Sequence, residues 1–156
     1  MSTRDAQAPA DAQFIQRWSP RAFNGAALSH DQVMVLIEAA RWAPSCFNSQ
    51  PWRFVYAIKG SEHWPAMLAL LMDVNQAWAQ HAGALIAVVS RNTYQGNDAP
   101  APTHSFDTGA AWMSLALQAQ SMGLASHAMW GIEHDAIPKA LNLPDNMQIQ
   151  AIVAVG

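Results

Sequence analysis

Two short runs carry most of the chemistry in this chain: Arg17-Trp18-Ser19-Pro20-Arg21-Ala22-Phe23 and Ala43-Pro44-Ser45-Cys46-Phe47-Asn48-Ser49-Gln50-Pro51-Trp52. A phosphate monoester needs several donors and compensating positive charge. Arg17 and Arg21 flank Ser19 on one turn, and each guanidinium offers paired donors that match phosphate oxygens. A charge-assisted bond of that kind contributes about 1.5–3 kcal/mol. The same two arginines would equally make a solvated basic flank to a helix end. The second run stops a helix at Pro44 and then presents Ser45, Asn48 and Gln50 on irregular backbone. Asn and Gln each donate and accept, which suits the alternating edge of a pyrimidine-like ring. On residue types alone, Pro, Ser and Asn are also ordinary turn residues. Read together, the runs point to a phosphorylated, amide-rich planar ligand.

The remaining candidates are fewer. Gly131 follows an apolar stretch, His127 to Met129, and a glycine there lets backbone approach a ligand closely. It would also serve a core strand ending in a turn. Cys46 has no adjacent His or Lys, so it reads as an inert, buried thiol. The six histidines show no metal-ligand spacing, and no metal is expected. No Gly-x-Gly-x-x-Gly or Walker sequence occurs, so a pyridine nucleotide, if used, visits as a diffusing substrate. No side chain is assigned a catalytic role.

These residues need a scaffold. Residues 1–13 read as a flexible tail that runs into a short helix over 10–16, and 14–156 as one domain. Ser29 and Gln32 form a capping box. Val33, Leu36, Ile37 and Ala40 then repeat at helical spacing, which predicts a helix over 30–42, stopped by Pro44. Alternation of Trp52, Phe54, Tyr56 and Ile58 predicts a strand over 52–58. Helices are expected at 62–72, 75–81, 107–122 and 135–141, with Gly123 as the left-handed stop of the long one. The apolar run 84–89 reads as a fully buried strand, and strands are also expected at 124–129 and 149–155. A polar loop spans 91–104. Helices and strands mix without regular βαβ alternation, so the expected class is α+β, a sheet layered with helices.

Composition bears on assembly. Apolar residues make up 51% of the 156 and charged residues 12%, against roughly 25% charged in ordinary domains. Seven Trp and eight Met add to this excess. A chain this size would expose much of that surface as a monomer, which points to a large self-association interface. The net charge of −3 and the lack of a basic cluster argue against nucleic acid. No apolar run reaches a membrane-spanning length, and no secretion signal is evident. With a single cysteine, a reducing cytoplasm is the default location.

The string Pro44-Ser45-Cys46-Phe47-Asn48-Ser49-Gln50-Pro51-Trp52 closely resembles the Pro-Ser-Ser-x-Asn-x-Gln-Pro-Trp signature of the FMN-dependent nitroreductase family. Arg17 to Phe23 resembles that family's leading phosphate-side signature. His127-Ala128-Met129-Trp130-Gly131-Ile132-Glu133 resembles its His-x-Met-x-Gly-Phe-Asp segment, with Ile-Glu in place of Phe-Asp. The resemblance spans roughly residues 14–156. It implies a mixed, mainly antiparallel sheet layered with helices in a homodimer with two FMN sites at its interface. Arg17, Ser19 and Arg21 would hold the phosphate and pyrimidine side from one subunit. Pro44, Ser45, Asn48 and Gln50 would approach from the other. Asn75 would contact the pyrimidine, and the backbone at Met129, Trp130 and Gly131 would lie against the ring. The implied activity passes hydride from NADH or NADPH, through the flavin, to an electron-poor acceptor such as a nitroaromatic or quinone. A flavin-binding dimer without turnover and a dedicated-substrate flavoenzyme of the same fold are the rival readings. The family's usual Arg/Lys-containing C-terminal segment is absent from this sequence, and Cys46 replaces its second Ser.

Overall fold

The computed structural model describes residue 4 and residues 6–156. Part of the expected tail, residues 1–3 and 5, lies outside the described residues. Among the described residues six helices and four strands follow in order: α1 (Ala12–Gln16), α2 (His30–Arg41), β1 (Trp52–Ile58), α3 (Trp64–Leu68), α4 (Asp73–Ala79), β2 (Ala84–Arg91), α5 (His104–Ser121), β3 (Ser126–Met129), α6 (Ile137–Ala140) and β4 (Met147–Val155). A 3-10 turn occupies Cys46–Asn48. The strands form one sheet in the order β1-β2-β4-β3, with every pairing antiparallel. This is an α+β architecture of the expected kind.

The sheet has two buried faces, and β2 shows why. Seven of its eight residues are buried. Because strand side chains alternate, Leu85, Ala87 and Val89 enter the core beneath α3 and α6, while Ala84, Ile86 and Val88 meet α2 and α5. Continuous apolar sequence is what a strand buried on both faces requires. On the second face Val33, Leu36 and Ala40 of α2 oppose Ala111, Leu115 and Ala119 of α5. The capping box of α2 forms in full: Gln32 N donates to Ser29 Oγ at 3.1 Å, and Ser29 N to Gln32 Oε1 at 2.9 Å. Gly123 ends α5 at φ 73°, where glycine carries no Cβ penalty.

Helices α1 and α6 and strand β3 start two residues later than expected, α4 spans 73–79 rather than 75–81, and three further differences have a clear cause. The helix expected over 62–72 stops at Leu68, because Leu70 O accepts from Glu133 N and Leu71 bridges to Ile132. A long-range pairing there outweighs helical composition. Helix α5 starts at His104 rather than 107, and the loop before it contracts to 92–103. Strand β4 starts at Met147 rather than 149, since Met147 and Gln148 pair with Arg91 and Ser90. The register shift at Val88/Val89 leaves Gln150 unpaired in the ladder. Its Nε2 instead donates to the buried Ser90 Oγ at 2.8 Å.

Candidate functional site

The candidate residues fall into two groups. The first gathers along β3. Pro20 O accepts from His127 Nδ1 at 2.9 Å, which ties the arginine-bearing turn to the strand. The Trp78 ring lies 4.7 Å from that of His127 and stacks on Phe23 at 6.2 Å. Asn75, one turn earlier on α4, donates from Nδ2 to Gly131 O at 2.9 Å. Met72 N donates to the same carbonyl at 3.1 Å. The structure therefore joins the segments carrying Arg17, Ser19, Arg21, Asn75, Met129, Trp130 and Gly131. The Met129 side chain is buried in the core, which leaves its backbone for any ligand. Trp130 is 64% exposed and packs its ring 4.3 Å from that of His134.

Glycine at 131 also has a reason within the chain. A Cβ there would come within 2.6 Å of Asn75 Nδ2 and 3.8 Å of Met72 Sδ. The small residue leaves room for Asn75 to reach the carbonyl.

Arg17 and Arg21 have no carboxylate partner among the described residues. Beside Arg17 a cleft of about 230 Å³ is lined by Gln16, Trp18, Gln120, Leu124 and Ser126. Ser126 Oγ and Gln120 Oε1 are buried there without hydrogen-bond partners. Buried polar atoms in that condition are costly unless something completes them. The Arg17 guanidinium at this cleft, without a carboxylate partner among the described residues, suits a phosphate. Sequence reasoning missed Ser126 and Gln120. Nothing in their types marks them, and only the fold sets them beside Arg17.

The second group is the turn before β1. Phe47, Asn48 and Gln50 have φ values of 53°, 54° and 46°. Left-handed backbone costs a non-glycine residue about 1–2 kcal/mol, least for Asn, so it persists only where surroundings impose it. Ser45 Oγ accepts from Gln50 N at 3.0 Å and is spent on shaping the turn. Gln50 Nε2 donates to Asn48 Oδ1 at 3.0 Å. That bond leaves the Asn48 amide donors and Gln50 Oε1 unused, one donor group beside one acceptor. Both residues line an open cleft of about 660 Å³ with Tyr94 and Asn97. Pro44 is exposed at the helix stop. Tyr94 OH donates to Cys46 Sγ at 3.6 Å. That bond, followed by burial, raises the phenol above its ordinary pKa.

The two groups do not meet within one chain. The turn enters β1 at one edge of the sheet, and the arginine segment lies along β3 at the other. Three interstrand spacings, about 14 Å, separate those edges. Among the described residues no hydrogen bond or ring contact joins one group to the other.

Fold and sites together define a layered α+β protein with ligand-type residues on both edges of one antiparallel sheet. The chain belongs to the nitroreductase family, whose model matches residues 15–75 and 59–156. A crystal structure described as an oxidoreductase containing FMN superimposes with a TM-score of 0.94 at 47% identity, covering 98% of this chain and 79% of that one. A protein of Exiguobacterium sibiricum, assigned to the nitroreductases and crystallised in complex with FMN, is 25% identical with a TM-score of 0.81. That match covers 97% of this chain and 90% of the other. A Thermus thermophilus protein named NADH dehydrogenase is 27% identical over 171 residues, 91% of this chain and 83% of its own length.

Proposed function

We propose that this protein is an FMN-dependent oxidoreductase working as a homodimer, with each site completed by two subunits. NADH or NADPH is the reductant, and an electron-poor acceptor such as a nitroaromatic or quinone is the oxidant. The observation that carries the reading is the division of one ligand chemistry between opposite edges of the sheet. The cationic half and the amide half each lack what the other has, and a second copy supplies it. Family membership and the FMN named in two similar structures support the cofactor. The NADH dehydrogenase name of the Thermus relative supports the reductant.

In this reading Arg17 and Arg21 neutralise the phosphate, and Ser126 and Gln120 border the cleft beside Arg17. The Asn48 donor and the Gln50 acceptor read the amide edge of the ring from the partner subunit. Asn75 holds Gly131 and the adjoining backbone in place. Arg21 adds positive charge that favours an electron-rich, reduced ligand through preorganised electrostatics. When bound, FMN would supply the hydride chemistry itself. No side chain is assigned to proton transfer, which solvent can supply.

Exposed apolar side chains support the dimer. Trp42, Phe47 and Phe106 are 75%, 89% and 82% exposed, and Met34 and Met113 stand out from α2 and α5. Gly109, between Phe106 and Met113 on α5, would place a Cβ in open space. Sedimentation at low micromolar concentration should give a dimer. Gly109→Trp, whose Cβ meets nothing within one chain, should shift it toward monomer.

The decisive experiment is stopped-flow mixing of FMN-loaded protein with NADH or NADPH, then with a quinone or nitroaromatic. The expected result is two separate half-reactions and parallel-line, ping-pong kinetics. Tight flavin binding with no reduction by either nucleotide, and no reoxidation of dithionite-reduced protein by either acceptor, would leave a flavin-binding dimer instead.

A further inference from the structure

We propose that Asp107 is a positioning residue that aims the turn of residues 45–50 at its ligand. This rests on the reading that the turn faces FMN bound across the subunit interface. The turn holds three left-handed non-glycine residues within four positions. Most of its hydrogen bonds are internal: Asn48 N to Ser45 O, Ser49 N to Cys46 O, Gln50 N to Ser45 Oγ and Gln50 Nε2 to Asn48 Oδ1. Such bonds set the shape of the turn and leave its direction open. Its trailing end is fixed to β1, where Arg53 Nη1 donates to Gln50 O at 3.0 Å.

At the leading end, the backbone is held from outside by Asp107. Cys46 N donates to Asp107 Oδ2 at 3.1 Å across 61 positions of sequence. Asp107 is 5% exposed, and its carboxylate sits in the first turn of the 18-residue helix α5. Thr103 Oγ1 donates to the same oxygen at 3.0 Å and fixes its rotamer. Thr103 stands at the N-cap position yet makes no side-chain cap bond, because its hydroxyl is directed to Asp107. The carboxylate thereby couples a strained loop to a long, rigid element. A functional constellation needs that kind of support to hold its geometry.

Substitutions at Asp107 and Thr103, read by FMN affinity and Cys46 thiol rate, and hydrogen exchange of the wild type test this in the full-length protein. Asp107→Ala should weaken FMN binding about tenfold or more, as loss of a bond to a buried charged group implies. It should also raise the reaction rate of the Cys46 thiol with a disulfide reagent in FMN-free protein. Asp107→Asn keeps an acceptor oxygen and should restore both readouts to within a few-fold. Thr103→Val releases the Asp107 rotamer and should produce both effects of Asp107→Ala in weaker form. In wild-type, FMN-free protein, hydrogen exchange should show the Cys46 amide protected despite its place in a loop. That measurement stands even if Asp107→Ala does not fold. Rapid exchange at Cys46 overturns the proposal, as does an Asp107→Ala protein with unchanged affinity and thiol rate. A faster thiol with unchanged affinity shows that the anchor does not serve the ligand, and also overturns it. If instead Asn48→Ala and Gln50→Ala leave FMN affinity intact while Cys46 stays protected, the shared-site reading fails and the anchor is purely structural.

Discussion

The two half-sites are built by opposite means. Along β3 the residues arrive from three distant stretches, and contacts such as His127 to Pro20 and Asn75 to Gly131 span 107 and 56 positions. Their charged groups have no carboxylate partner among the described residues, and the backbone between them is unstrained. Before β1 the residues are contiguous, the backbone is strained at three positions, and the polar groups mostly satisfy one another. One half is assembled by packing and left electrostatically open. The other is assembled locally and kept rigid. A cationic half needs little precision, because charge acts at a distance. A donor–acceptor edge has to be set to within hydrogen-bonding tolerance.

That contrast can be broken most directly at the arginines. Arg17→Ala should weaken FMN roughly ten- to hundredfold, if one charge-assisted contact is lost, while riboflavin, which lacks phosphate, is much less affected. Equal losses for both ligands would remove Arg17 from the phosphate. The same variant sharpens the comparison when mixed with Asn48→Ala. Random exchange between two-fold dimers makes half of them heterodimers, each with one intact site, so roughly a quarter of all sites should regain tight FMN binding. A site contained within one chain would regain nothing.

A smaller effect is expected at Gly131. The forced contact with Asn75 in Gly131→Val should cost about 1–3 kcal/mol, as overpacking does, and lower the melting temperature by several degrees. Gly131→Ala carries the same Cβ and should show part of the loss. Removing the obstruction with Asn75→Ala should recover much of the stability in the double variant, and additive losses would contradict the geometry.

The smallest effect is expected at the end of α2, just ahead of the second half-site. Arg41 and Trp42 donate to Glu38 and hold its carboxyl at about 2, below its ordinary range. A depressed acid pKa adds stability above the ordinary value of about 4.5, and that stability is lost as pH falls toward 2. The pair is more than half exposed, so its contribution is small and screened by salt. Glu38→Gln should therefore leave the melting temperature at pH 7 nearly unchanged and should flatten the acid limb only slightly. A chemical-shift titration of Glu38 would check the direction.

What the sequence discloses follows the same division. The Pro44–Trp52 string is contiguous, so its chemistry and its resemblance could be read before any fold was known. Strand β1 and the capping box of α2 are local too, and both appear where the residues place them. The α5 start was not legible, because Thr103 turns its hydroxyl toward Asp107 instead of signalling a cap. The early end of α3 depends on Ile132 and Glu133, more than sixty positions away. Ser126 and Gln120 carry no pattern at all, since only the packing of α5 on β3 makes neighbours of them and Arg17. Asp107 was visible only as part of a helix start.

The buried pair β2 and β4 has one more consequence. These strands carry the continuous apolar core, whereas both half-sites sit on outer edges and loops. Free energies of local opening rise from such edges toward the fully packed interior. The slowest-exchanging amides should therefore lie on β2 and β4, and the segments that grip a ligand should open on a faster clock. Loading and release of a cofactor then become local breathing events of a chain that stays folded, with no need for the molecule to be remade at each exchange.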